Sequence, residues 1–160
     1  MVEGVAEIDD GASWERAGEG PPVTFLHPGL WDRRTWDDQF GLFAKTYRVV
    51  RYDGRGYGRS GRPEPGGPYS HVRDLMAVLD VAEIERTAFR GLLHGRGIEI
   101  DATLEHPERV TALVLVAPGL RRIRGTPEEE AEWEARDGER GHRSRLPSRP
   151  EIWKVLRICA

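Results

Sequence analysis

Cysteine is almost missing: Cys159 is the only one in 160 residues, which excludes an internal disulfide and any metal cluster built on several thiolates. Long apolar runs are missing as well. No stretch approaches the roughly 18 residues of a membrane helix. The first ten residues carry four acids, Glu3, Glu7, Asp9 and Asp10, where a secretory leader has a basic start and an apolar middle. These absences predict a cytoplasmic chain without a membrane partner. A dedicated nucleic-acid binder shows a strong basic excess, whereas the net charge here is -3. Lysine is scarce, with only Lys45 and Lys154 among 24 basic residues, a bias we read as GC-rich coding. What remains, 38% hydrophobic and 32% charged, suits about one folded domain.

The pattern along the chain predicts alternating strands and helices. Val5 to Ile8 and Ser13 to Arg16 alternate around Asp9-Asp10-Gly11, as a hairpin does. Val23 to Leu26 and Tyr47 to Tyr52 are compact apolar strands, separated by Thr35 to Ala44 with Trp36, Phe40 and Phe43 at helical spacing. Val72, Leu75, Met76 and Leu79 mark a second helix, Arg86 to Gly91 a strand, and a third helix ends before Pro107. Val110 to Val116 is the most apolar strand. Strands of this kind alternating with helices imply an α/β fold whose mostly parallel sheet is covered on both faces. Past Pro118 the character changes, and Thr126-Pro127-Glu128-Glu129 opens a largely polar helix carrying Trp133.

Three chemical motifs can be set aside on context. Gly56-Tyr57-Gly58-Arg59-Ser60-Gly61 matches a dinucleotide fingerprint, but it runs into the proline-rich stretch 62–68 instead of a helix, so a structural loop and no cofactor are expected. His27, His71, His94, His106 and His142 follow no ligand spacing, and scattered surface or loop histidines with no metal are the expectation. Arg51, Arg55, Arg59 and Arg62 could grip phosphate, but with Asp53 and Asp74 nearby a salt-bridged loop fits better.

Three further segments, in order, resemble the α/β-hydrolase family. Phe25-Leu26-His27-Pro28-Gly29-Leu30 is similar to its strand-end H-G-G segment, and Tyr52 to Ser60 to its D-x-R-G-x-G-x-S loop. Glu105-His106-Pro107-Glu108-Arg109-Val110, with the strand ending at Ala117-Pro118-Gly119, resembles the stretch after its nucleophile helix. The resemblance covers roughly residues 12 to 136. It implies hydrolysis of a small ester- or lactone-type acyl bond by a serine, with a histidine base and an acid behind it. It implies oxyanion donors at the backbone N–H groups of His94 and Gly29, with Leu30 beside them; Pro28, which has no N–H, stands one residue before. The G-x-S-x-G elbow falls on Gly91-Leu92-Leu93-His94-Gly95, which keeps the glycines but puts Leu93 where the serine belongs. Serine chemistry is excluded at that position.

On this resemblance residues 1–120 form the N-terminal part of a hydrolase core and 121–160 the start of a cap. The late acid and histidine match no residue, so a truncated, impaired chain is expected. Its strand Val110 to Val116 would then present a bare apolar edge that favours aggregation or a partner. A non-catalytic relative that binds a ligand or partner is the alternative, and a dinucleotide module a more distant one. The GC-rich bias suggests one origin for Leu93. Residues 89–97 can be back-translated so that dropping the first base of codon 90 reads Phe-Val-Gly-Phe-Ser-Met-Gly-Gly, with a compensating loss near Gly97 restoring the frame by Ile98. Arg140 to Leu146 allows a similar slip into an ordinary amphipathic sequence.

Overall fold

A computed structural model describes residues 1–6, 11–63 and 69–116. The expected cap at 121–160, with its helix at Thr126 and its shifted tail, lies outside the described residues. The described chain forms one six-stranded sheet in the order β1-β2-β4-β3-β5-β6. Its strands are β1 (Val2–Ala6), β2 (Ala12–Ala17), β3 (Pro22–Leu26), β4 (Arg48–Tyr52), β5 (Thr87–Leu92) and β6 (Val110–Val116). β1 and β2 make the expected antiparallel hairpin, with both strands displaced toward the N-terminus or lengthened at their ends. β2 also runs antiparallel to β4, while β4, β3, β5 and β6 are mutually parallel.

The apolar runs of β3 and β4 follow from burial on both faces. Val49 and Phe25 point into an aromatic layer with Trp36 and Phe40, whereas Val50 and Leu26 join the opposite core with Leu75, Leu79 and Phe89. Alternation along each strand thus supplies two cores at once. The aromatic layer is closed by α1 (Asp37–Phe43), the other by α2 (His71–Val81) and α3 (His94–Glu105). The helix expected from Thr35 begins as a 3-10 turn over Arg33–Trp36, because the Asp32 carboxylate accepts from the Arg34 N–H and winds the chain tightly before α1. Ser70 caps α2 by accepting from Arg73 N–H, which places Val72, Leu75, Met76, Val78 and Leu79 on its buried side.

β6 pairs with β5 and with no other described strand, and Val114 on it is 47% exposed. No helix among the described residues is long and apolar enough to cross a membrane.

Candidate active site

The carboxyl ends of β3, β4 and β5 bring three loops together, as is usual for ligand sites in parallel sheets. The loop after β4 is held by charges. Arg33 donates its backbone N–H to Asp53 (2.9 Å) and its guanidinium to the Ser13 hydroxyl (2.9 Å). Arg51 donates to Glu15 (2.6 Å) and Asp37 (2.6 Å), and Arg59 N–H donates to Asp53 (3.0 Å). Arg55 grips both carboxylate oxygens of Asp74 at 2.7 and 2.9 Å, with both residues buried. Arg51 and Arg55 are therefore salt-bridged, as expected, though Arg51 finds Glu15 and Asp37 and not the nearby Asp53, and Arg59 contributes a backbone donor. The glycine motif at 56–61 is a series of turns, with no helix opening through residue 63.

His27 lies in the loop after β3, within the expectation of surface or loop histidines, but it is buried. It accepts from the Gly54 N–H at Nε2 (2.9 Å), so Nδ1 carries the proton and donates to the Pro28 carbonyl (2.9 Å). Both nitrogens are committed, and His27 ties the loop after β3 to the loop after β4. His71 and His94 come together: their rings meet edge to face at 4.8 Å, and His71 Nδ1 shares a 2.7 Å hydrogen bond with the Tyr69 hydroxyl, while His106 lies apart beside Glu108 and His142 is outside the described residues. Tyr69 in turn lies under the Arg55 guanidinium at 4.5 Å. Burial, reinforced by Asp74, pushes the Tyr69 phenol up to about 12, so the hydroxyl remains neutral at this contact. This chain of contacts was invisible in the sequence, because its members come from separate segments and follow no motif spacing.

Between β5 and α3 the chain turns sharply on Leu93, at φ 51° and ψ -105°, a left-handed conformation that branched and bulky residues rarely adopt. Two glycines make the turn possible. A Cβ on Gly91 would lie 2.6 Å from the Arg96 nitrogen, and one on Gly95 2.6 Å from the Leu26 carbonyl oxygen. A Cβ on Gly29 would meet the His94 side chain at 3.0 Å, so the loop after β3 abuts the head of α3. The Leu93 side chain is 45% exposed at the tip.

Behind the turn, polarity and environment disagree. Glu99 on α3 is fully buried, and neither of its carboxyl oxygens makes a well-aligned hydrogen bond among the described residues, although the Gly91 N–H lies close enough to act on it. Burial pushes its pKa up to about 9, although the Gly91 N–H and the Arg96 guanidinium pull the other way. On β5, Arg90 lies 5.5 Å from the Trp36 ring and 5.6 Å from the Phe43 ring, with its Nε buried and unbonded. The sequence reading overlooked both residues. The signal for Arg90 was a charged residue inside a strand bound for a doubly covered sheet.

No family model matches the chain. Individual proteins do. A 2-hydroxymuconate semialdehyde hydrolase from a Pseudomonas strain is 34% identical over 108 residues, covering 62% of this chain and 37% of its own length. The crystal structure of the enol-lactonase from Burkholderia xenovorans superposes with a TM-score of 0.62 at 26% identity, covering 69% of this chain and 45% of that one. A structure described as Est816, an N-acyl homoserine lactone degrading enzyme, reaches a TM-score of 0.66 at 29% identity over 95% of this chain and 63% of its own. The chain spans 30–43% of the length of the first curated relatives it matches. With the sheet order, the strand-to-helix turn and these likenesses in agreement, the chain belongs to the α/β-hydrolase family.

Proposed function

We propose that this chain comes from a serine-type hydrolase lineage acting on a small ester or lactone, and that Leu93 occupies the nucleophile's place. One observation carries the reading. A leucine is held in a left-handed turn between strand and helix, flanked by two glycines that have no room for a Cβ, and its side chain is presented to solvent. That arrangement aims one side chain outward at the head of a helix, as a nucleophile elbow requires. The N–H groups of His94 and Gly29 are the oxyanion donors in this reading. Residues 1–120 belong to the hydrolase core and 121–160 to the start of a cap, in a cytoplasmic protein. Leucine has no nucleophilic atom, so the chain as it stands forms no acyl-enzyme at this point.

The test places a reactive atom there without needing a histidine base. In a Cys159→Ser background, Leu93→Cys exposed to p-nitrophenyl acetate releases one equivalent of p-nitrophenolate as the thiolate attacks the carbonyl and a thioester forms on residue 93. The Cys159→Ser chain with leucine at 93 gives no such burst. A folded Leu93→Cys protein that stays unacylated overturns the reading.

A second reading has one observation in its favour. Leu30 (81% exposed) and Trp31 (59%) follow Gly29, which abuts His94, so exposed apolar groups sit on the loop that meets the head of α3. A relative without chemistry would use such groups to hold an acyl-like ligand. Saturable binding of an apolar ester by the parent chain, lost in Trp31→Ala, supports it.

A further inference from the structure

We propose that the side chains of His71 and His94 together bind one first-row divalent metal ion, copper most tightly, in an open site beside the head of α3. These imidazoles have no part in the hydrolase reading, and the site stands or falls apart from it.

Geometry carries the assignment. A ligating imidazole nitrogen sits about 2.0–2.1 Å from a zinc ion and about 1.1–1.2 Å from its own ring centre, so each centre lies about 3.2 Å from the metal. Two such rings at a right or tetrahedral angle have centres about 4.5–5.2 Å apart. The rings of His71 and His94 are 4.8 Å apart and inclined at 77°. The two residues open different helices, α2 and α3, so each ring is carried on regular backbone and the pair is assembled before any ion arrives.

The surroundings orient both rings. His71 meets the Tyr69 ring at 4.4 Å, and its Nδ1 lies 2.7 Å from the Tyr69 hydroxyl. With the Nδ1 proton donated to that oxygen, Nε2 carries the lone pair, which is how ligating histidines are fixed by an outer partner. Arg55 lies over the Tyr69 ring, and its charge is offset by the bidentate pair with Asp74. A Cβ at Gly29 would lie 3.0 Å from the His94 Cβ, so the loop after β3 backs that side chain. Both histidines are half-buried, within reach of an ion from solvent.

No third histidine, cysteine, aspartate or glutamate among the described residues completes the set, so water or another small ligand takes the remaining positions. Two imidazoles and water favour copper over nickel and zinc, and all three over magnesium or calcium. The positive ends of α2 and α3 oppose a cation and hold the affinity below that of a site with three or four protein ligands.

The test uses the untagged Cys159→Ser chain with copper chloride as the probe. At one equivalent of copper, pulsed electron paramagnetic resonance should show two coordinated imidazole nitrogens. His71→Ala and His94→Ala should each weaken copper binding, read by calorimetry, by at least the roughly 10–100-fold that loss of an outer partner costs. The double variant should lose little more than either single one, because a chelate is broken only once. His106→Ala should change nothing. A single coordinated nitrogen, an unchanged affinity in either folded single variant, or a loss in His106→Ala overturns the proposal. The resonance is read on the chain that keeps both histidines, so the site is tested even where a variant does not fold.

Discussion

Two regions of this protein place ionisable side chains against the core, and they do so in opposite ways. Around β2, β4 and the 3-10 turn, Glu15, Arg33, Arg51, Asp53, Arg55 and Asp74 are all buried, and every one has an oppositely charged partner. A few residues away, along β5 and α3, the half-buried Arg90 keeps a buried Nε without an acceptor, and the buried Glu99 makes no well-aligned hydrogen bond and is neutral at ordinary pH. The same sheet supports both. The first region shows what a charged cluster looks like when sequence and fold match: bidentate geometry, backbone donors, no orphaned oxygen. The second shows polar groups at sites shaped for apolar ones. Fold and fitness for burial are thus set separately, segment by segment.

The comparison breaks most visibly where a satisfied pair is cut. Asp74→Ala leaves the buried Arg55 without its bidentate acceptor and should cost about 3–5 kcal/mol in urea denaturation. A loss under 1 kcal/mol would mean that the paired cluster contributes no more than the unpaired one.

Glu99 sharpens the contrast through pH. It holds its proton to about pH 9 when folded, against an ordinary value of 4.5. The folded state therefore binds more protons between those values, and stability is greatest below the lower one and declines as pH rises toward the upper. Between pH 5 and pH 8 the parent should lose on the order of 2–4 kcal/mol relative to Glu99→Gln, whose amide does not titrate. Parallel stability curves would show that water or a proton donor reaches the carboxyl.

Smaller effects follow at the surface. Leu93→Gly relieves the left-handed backbone and should raise stability by about 1 kcal/mol, read as a higher melting temperature. Smallest of all, Arg34→Ala removes an exposed ion pair and should leave the melting temperature within error. Its trace appears by NMR titration of Asp32, whose carboxyl the Arg34 guanidinium holds down at about 2 and which should return toward 3.8.

Legibility in the sequence followed range. Strands β3 to β6 and helix α2 could be placed from apolar runs and helical spacing, because burial on two faces leaves a strong local signature, and the end of α3 from Pro107. The turn at Leu93 could be placed from its glycines. Its left-handed backbone could not, since leucine gives no hint of it. The junction near Trp36 was blurred because a side-chain cap at Asp32, and not periodicity, decides where tight winding gives way to the α-helix. His27, Tyr69, His71 and His94 belong to three segments that only the sheet brings together. Glu99 was missed because the helix spacing around Ile98 and Ala102 does not single out a buried acid between them.

The two committed nitrogens of His27 have a dynamic consequence. Because the ring receives the Gly54 N–H and donates to the Pro28 carbonyl, the segment bearing Gly29 cannot swing away without releasing the turn after β4. The two loops open as one unit. Hydrogen exchange at the Gly54 amide therefore clocks the motion of the loop across from it, and a His27→Ala chain should let the two exchange at independent rates.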